Sequence, residues 1–255
     1  MIINHNIPAV NTHRNMGLNQ TASSKNMEKL ASGLRINRAA DDAAGLAISE
    51  KMRGQIRGLE QAQRNVQDGI SFAQTAEGAM NEVSAMLVRI KELVVQSENQ
   101  TYQASDKSNI KMELGQLGKQ IDAITSNTKF NGIKITSSIN IQADDDAFKI
   151  KISGISTTGF KGLTSGVTLK SATDAIVSVA KQRAQIGAVQ NRLEYTSNNL
   201  GTTVENLTAA ESRIRDTDMA KEMVALSKNN ILLQASQSML AQANQAPQGV
   251  LSLLR

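Results

Sequence analysis

At 255 residues, the chain is long enough to bury a sizeable core as one domain or two. Hydrophobic residues make up 40% and charged residues 20%, which excludes wholesale disorder, and the lack of cysteine excludes a disulfide framework and thiolate metal sites. A net charge of +5 raises a nucleic-acid role, but charges alternate in sign (Glu50-Lys51, Arg213-Ile214-Arg215-Asp216) and no basic block carries stacking aromatics, so no nucleic-acid partner is expected.

The chain has no Trp and two Pro, and aromatics are only 2% of it. Such a composition suits long uninterrupted helices packed through Ala, Leu, Ile, Val and Met. The opening segment, MIINHNIPAVNTHRNMGL, lacks a basic region followed by an apolar core, so no Sec-type signal is expected. No stretch is apolar enough to span a bilayer, and membrane insertion is not expected. Over residues 1–24 the sole charged side chain is Arg14, with histidine counted neutral.

The strongest regularity follows. Apolar or alanine side chains recur at Leu59, Ala62, Val66, Ile70, Ala73, Ala76, Met80, Val83, Leu87, Ile90 and Val94, steps of three and four that make a coiled-coil-like seam. With its upstream part from Ala43, this predicts a helix over residues 43–97, about 75 Å long at about 1.5 Å per residue. Such a helix cannot bury its stripe alone. A polar stretch at 97–108 offers turn and N-cap chemistry at Asn99 and Ser105-Asp106. Ile110, Leu114, Leu117, Ile121 and Ile124 then predict a second helix over 106–127.

Between 128 and 171 the period changes. Phe130-Asn131-Gly132 reads as a turn, Ile133, Ile135, Ile139 and Ile141 alternate with polar residues, and Phe148, Ile150 and Ile152 alternate again after Asp144-Asp145-Asp146. This predicts one β-hairpin with a solvated acidic tip, followed by a loop rich in Gly and Thr. Helix resumes over 172–211, capped by Ser171 or Thr173, on a looser seam of Ile186, Val189, Leu193, Thr196, Leu200, Val204, Leu207, Ala210 and Ile214. Three such helices predict a rod-shaped bundle.

The C-terminal run from 229 to 254 carries no charge. Met219, Met223, Leu226, Leu233 and Leu240 fall on heptad positions, while Val224, Ile231, Leu232, Ala235 and Met239 form a second apolar face. A helix apolar on two faces is buried on two sides. Its glutamines and asparagines argue against lipid. The apolar ending Val250-Leu251-Ser252-Leu253-Leu254, together with the charge-poor N-terminal end, points to mutual burial of the two ends in a polymer, with an ordinary core-docking helix as the alternative.

Several segments resemble bacterial flagellin: Ile3-Asn4-His5-Asn6-Ile7-Pro8-Ala9, MEKLASGLRINRAADDAAGLAISEKMRGQ at 27–55, QDGISFAQTAEGAM at 67–80, GAVQNRLEYTSNNL at 187–200, ENLTAAESRIRDTDMAKEM at 205–223 and MLAQANQAPQGVLSLLR at 239–255. The resemblance implies a mainly α structure: a long antiparallel helical bundle or coiled-coil rod with a small β-hairpin region, plus a two-helix terminal domain formed by both chain ends. In residue terms it implies an N-terminal helix and spoke over 1–42, a rod-like core over 43–211 and a C-terminal helix over 212–255. It also implies a short form without large central variable domains, whose ends are disordered in the free subunit and pair as helices in the filament.

The implied function is a structural subunit of the flagellar filament used for swimming, extracellular and non-enzymatic. The implied partners are further copies of the chain, an export chaperone at the C-terminal region, the flagellar type III export apparatus, and the filament cap and hook–filament junction proteins. Packing in the terminal domain falls to Met219, Met223, Leu226, Leu233, Leu240, Leu251 and Leu254. Arg35, Asn37, Arg38, Asp41 and Asp42 form a spoke that either bonds neighbouring subunits or is satisfied locally. The surface that a vertebrate innate immune receptor recognises in some members corresponds to Leu87, Arg89, Leu93 and Glu113; Val88 replaces the usual Gln, which removes an amide and predicts weaker recognition. A hook–filament junction protein and a secreted helical effector or adhesin are the alternative readings.

No catalytic, cofactor or metal site is expected. His5 and His13 stand apart from any acid cluster, there is no His-Glu-x-x-His run and no phosphate-binding glycine loop, and neither Asp41-Asp42 nor Asp144-Asp145-Asp146 has the alternating ligands and closing Glu of a calcium loop.

Overall fold

The seam between Leu59 and Val94 is the buried stripe of α2 (Ala43–Glu98), a helix of 56 residues. The computed structural model describes residues 5–163 and 166–253, with backbone alone over 247–253. Before α2 comes α1 (Ile7–Ser32); after it come α3 (Ala104–Asn127), β1 (Lys129–Phe130), β2 (Ile133–Lys134), β3 (Ile139–Gln142), β4 (Lys149–Ile152), α4 (Leu169–Arg215) and α5 (Met219–Leu253). The chain divides into two compact units, one of Met1–Gly54 with Leu207–Arg255 and one of Gln55–Asn206.

The central unit is a three-helix bundle with its core running along the helices. Every seam position of α2 is buried except Ile70, which is half-buried, and Phe72 and Leu93 join them. From α3, Ile110, Leu114 and Ile121 enter the same cluster, and from α4 Ala172, Ala175, Val179 and Ile186. The small Ala73, Ala76, Ala172 and Ala175 and the larger Met80, Leu87 and Ile90 all lie in this cluster. Fully burying each such large side chain contributes about 1.5–3 kcal/mol. Phe160 and Ile155, from the loop before α4, are buried in the same cluster. Phe72 meets Phe130 edge to face, with ring centroids 6.1 Å apart.

The β region holds two hairpins rather than the single one that the alternation predicts. β1 pairs with β2 (Phe130 opposite Ile133), and β3 pairs with β4 (Ile139 opposite Ile152, Ile141 opposite Ile150). Asn131 and Gly132, with φ of 48° and 79°, make the two-residue turn of the first hairpin, so Phe130 is its strand end and not its turn. The run from Ile133 to Ile141 breaks because Ser137 N–H bonds Lys134 O (3.0 Å) and Ile155 N–H bonds Ile135 O (3.1 Å). That turn drives Ile135 into the core. Gly154 is required beside it, since a Cβ there would strike the Thr136 carbonyl.

The second hairpin lies on α2, where Gly58 and Gly69 leave room for Asp145 and Ile141. Asn65 donates to Gln142 O (3.3 Å), and Gln142 in turn binds the carbonyls of Asp144 and Asp146, which shapes the acidic tip. On the α4 side, Gln182 accepts from Ser156 N–H (2.9 Å) and donates to Ser156 O (2.8 Å). Helix starts also differ by a few residues from the sequence expectation. α3 begins at Ala104, with Asp106 reaching back to the Gln103 N–H (3.2 Å), so Asp106 is the third residue of the turn and not its cap. α4 begins at Leu169, capped by Thr168, whose hydroxyl accepts from Ser171 N–H while Ser171 Oγ accepts from Thr168 N–H. Ser171 and Thr173 therefore lie inside the helix.

Candidate functional site

Within the unit made by the two ends, α1 starts at a capped, proline-containing turn: Asn6 Oδ1 accepts from Ala9 N–H (3.2 Å), and Pro8 lies where a missing N–H costs nothing. It stops at Gly33, whose left-handed φ of 72° lets its N–H return to Lys29 O (2.8 Å). The chain then runs antiparallel to the α4–α5 connection. Arg35 N–H donates to Arg215 O (2.7 Å) and Thr217 N–H to Gly33 O (3.0 Å), a bridge centred on Leu34 and Asp216.

The five spoke residues come together in this joint, and each has a partner inside the unit. The Arg35 guanidinium binds Ile214 O through Nε (3.2 Å) and Nη2 (2.6 Å), satisfying a carbonyl that the end of α4 leaves unpaired. Asn37 Nδ2 binds Ser32 Oγ (2.8 Å) and Glu28 O (3.3 Å) at the end of α1. Arg38 pairs with Glu28 (2.8 Å) at an exposed position, a contact of about 0–1 kcal/mol. Asp41 Oδ2 accepts from the N–H groups of Asn37 (3.2 Å) and Arg38 (3.1 Å), and Asp42 Oδ1 caps α2 at Gly45 N–H (2.8 Å).

Other residues of the joint stand outside the sequence expectation. Ile36 is only 1% exposed and packs towards Gly45, the glycine that makes room for it. Arg215, with a side chain 13% exposed, binds Glu50 at 2.6 Å. Asp218 caps α5 by accepting from Ala220 and Lys221 N–H. A cap is recognisable as Asp before a helix, but the Arg215–Glu50 pair spans 165 residues and has no local signature.

Three carboxylates of the joint are held below their ordinary pKa values: Asp41 by the Arg38 and Asn37 N–H donors, Glu50 by its Arg215 hydrogen bond, and Asp218 by the Lys221 N–H. A carboxyl with a lowered folded pKa lends stability above its unfolded value, about 4, and loses it as pH falls through the folded one. The joint is therefore expected to lose stability as pH falls below about 4. Circular dichroism at 222 nm on acidification should show a loss that is shallower in Asp41→Asn, which lacks that titration and starts less stable.

Beyond the joint, α1 and α5 pair along their length. The α1 side chains turned inward are Ala9, Thr12, Met16, Asn19, Ser23, Asn26 and Leu30, in steps of three and four; Ser23 is 2% exposed. From α5 the inward line is Leu226, Asn229, Leu233, Ser236, Leu240 and Ala243. Asn19 donates to Ser236 Oγ (3.4 Å), Ser23 to Asn230 Oδ1 (3.1 Å) and Asn6 to Ala243 O (2.7 Å). With its amide nitrogen turned towards acceptors, Asn26 donates to Glu222 Oε1 (3.0 Å) and accepts from Asn229 Nδ2 (3.1 Å).

Large apolar side chains also lie outside this contact. Ile7, Val10, Leu18 and Met27 of α1 are exposed, as are Met219, Met223, Val224, Ile231, Leu232 and Met239 of α5. So Leu226, Leu233 and Leu240 face α1 half-buried, whereas Met219 and Met223 point away from it. The Leu251 side chain and Leu254 lie outside the described residues. In the central unit, Leu87 and Leu93 are buried in the core and present no side chain to a partner; Arg89 and Glu113 are exposed and bound to each other (3.0 Å). Among the described residues no group of three or more His, Asp or Glu could hold a metal ion, and no helix is long and apolar enough to cross a membrane.

The bacterial flagellin N-terminal helical region matches residues 3–141, and the bacterial flagellin C-terminal helical region matches residues 169–254. A flagellin of Halalkalibacterium halodurans is 53% identical over 272 residues, and one of Bacillus subtilis is 50% identical over 304, each alignment covering 100% of both chains. The flagellar filament 33 kDa core protein of Treponema phagedenis is 47% identical over 286 residues, again covering 100% of both.

Proposed function

The chain belongs to the bacterial flagellin family, and from that membership we propose that it polymerises through its paired ends, 1–42 with 212–255. It is a structural subunit of the extracellular flagellar filament. One observation carries the polymerisation reading: α1 and α5 pair by half-polar lines and leave Ile7, Val10, Leu18, Val224, Ile231 and Met239 exposed. A run of apolar side chains on one pair of helices marks a surface that a partner covers. Repetition of one chain supplies that partner through the same contact each time, a head-to-tail geometry that builds a helical polymer.

The same faces need cover before assembly, which an export chaperone bound to α5 would supply on the way to the type III export apparatus; the cap and hook–filament junction proteins would meet the subunit at the two filament ends. Arg35, Asn37, Arg38, Asp41 and Asp42 serve as the joint that holds α1 against the start of α5. Their partners are all local, which supports a structural joint over direct bonds to a neighbour.

Concentrated subunits seeded with sheared filament should yield pelletable filaments visible by electron microscopy. Chains lacking 1–42, or everything after Asp218, should stay in the supernatant. A full-length chain that remains monomeric with seeds present would overturn the reading.

A further inference from the structure

Two helices of this composition could pair in more than one rotational setting. Turned about their axes, α1 could press Val10 and Leu18 against Ile231 and Met239, all of which are exposed in the observed pairing. That rotation would cover these side chains within one chain, removing faces on which assembly depends, and would turn Leu226, Leu233 and Leu240 outward. Something must select the observed pairing, and the helix-to-helix hydrogen bonds are the feature suited to it. Asn19–Ser236, Ser23–Asn230 and Asn26 with Asn229 and Glu222 occupy successive levels of the contact. Leucines at 226, 233 and 240 recur every seven residues between them.

We propose that Asn19, Ser23, Asn26, Asn229, Asn230 and Ser236 determine the rotational setting of α1 on α5, keeping the apolar faces outward for neighbouring subunits. The physical basis is directional. Apolar contacts are indifferent to rotation, whereas a hydroxyl or amide in a helix contact must find its partner or lose a hydrogen bond. A polar residue in a coiled-coil seam fixes one arrangement at a cost in stability. Here the alternative setting would forgo these mutual bonds, while the apolar faces would be covered within the chain. The joint at Leu34–Asp216 limits sliding at one end but leaves rotation further along the helices to the side chains. The half-polar seam also keeps the pair weak alone, so that it is completed by its neighbours.

This inference rests on the polymerisation reading, and the test separates the two. Full-length chains carrying Ser23→Leu with Asn230→Leu, and Asn19→Leu with Ser236→Leu, are seeded beside wild type. An apolar seam is expected to raise helicity at 222 nm in the unpolymerised chain while cutting the yield of ordered filament at least tenfold, with amorphous pellet in its place. The exchanged pair Ser23→Asn with Asn230→Ser, which restores a hydroxyl–amide bond, is expected to return wild-type yield and filament diffraction. Leucine variants that form filaments of wild-type yield and helical parameters overturn the proposal, as does failure of the exchanged pair while its thermal unfolding matches wild type. Failure of wild type itself to polymerise overturns the polymerisation reading instead.

Discussion

Replacing Val224 and Ile231 by aspartate is expected to abolish polymerisation while the central unit stays folded. The two residues are 70% and 66% exposed and seven positions apart, so they lie on one line of α5 facing away from α1. In the free chain each change exchanges an exposed apolar group for an exposed charge and costs little. In a polymer that covers this line, each carboxylate loses its water without a partner, and the burial of a Val or Ile, about 1.5–3 kcal/mol each, is also lost. Two sites together exceed about 4 kcal/mol, roughly a thousandfold in the concentration at which polymer forms. Sedimentation against concentration measures the shift, and thermal unfolding by circular dichroism reports the central unit. Wild-type polymer from the double variant would mean that this line faces solvent in the filament. Val224→Leu with Ile231→Val keeps the apolar surface and should polymerise normally.

The second large effect is in the core. Leu87→Ala should destabilise the central unit by about 2–5 kcal/mol, because Leu87 is 0% exposed and touches a cluster supplied by all three helices of the bundle. Arg89→Ala, two residues away, should leave the stability little changed, since the Arg89–Glu113 pair is exposed on both sides. Urea unfolding distinguishes the two, and equal effects would show that the bundle tolerates a cavity there. The comparison also bears on receptor assays. A loss of response in a Leu87 variant reports a loosened core, whereas a loss in an Arg89 or Glu113 variant with unchanged stability reports a surface contact.

The joint explains why its residues were only partly readable. Asp42 before α2 and Gly33 after α1 are local devices, a carboxylate for free N–H groups and a residue without Cβ for a left-handed turn. Arg35 could be noticed as charged, yet its target, the Ile214 carbonyl, lies 179 positions away. Ile36 looked like any isoleucine in a polar stretch until Gly45 came beside it.

The sequence by itself determined the helices and the core of the central unit. Heptad spacing from Leu59 to Val94 places its apolar groups on one side of α2 whatever the rest of the chain does, because the helical repeat is a property of the backbone. The lack of charge at both ends likewise required them to be covered. Tertiary structure alone decided which face of each end turns inward. Periodicity marks Met219, Met223 and Leu226 alike as heptad positions of α5, but the pairing with α1 takes Leu226, Leu233 and Leu240 and leaves the two methionines outside. It likewise broke the predicted single hairpin into two, where the Ile155 and Ser137 N–H groups claim the carbonyls of Ile135 and Lys134. Both outcomes depend on hydrogen bonds, most of them between residues far apart in the chain, and a pattern of apolar side chains has no information about where such a bond will find its partner.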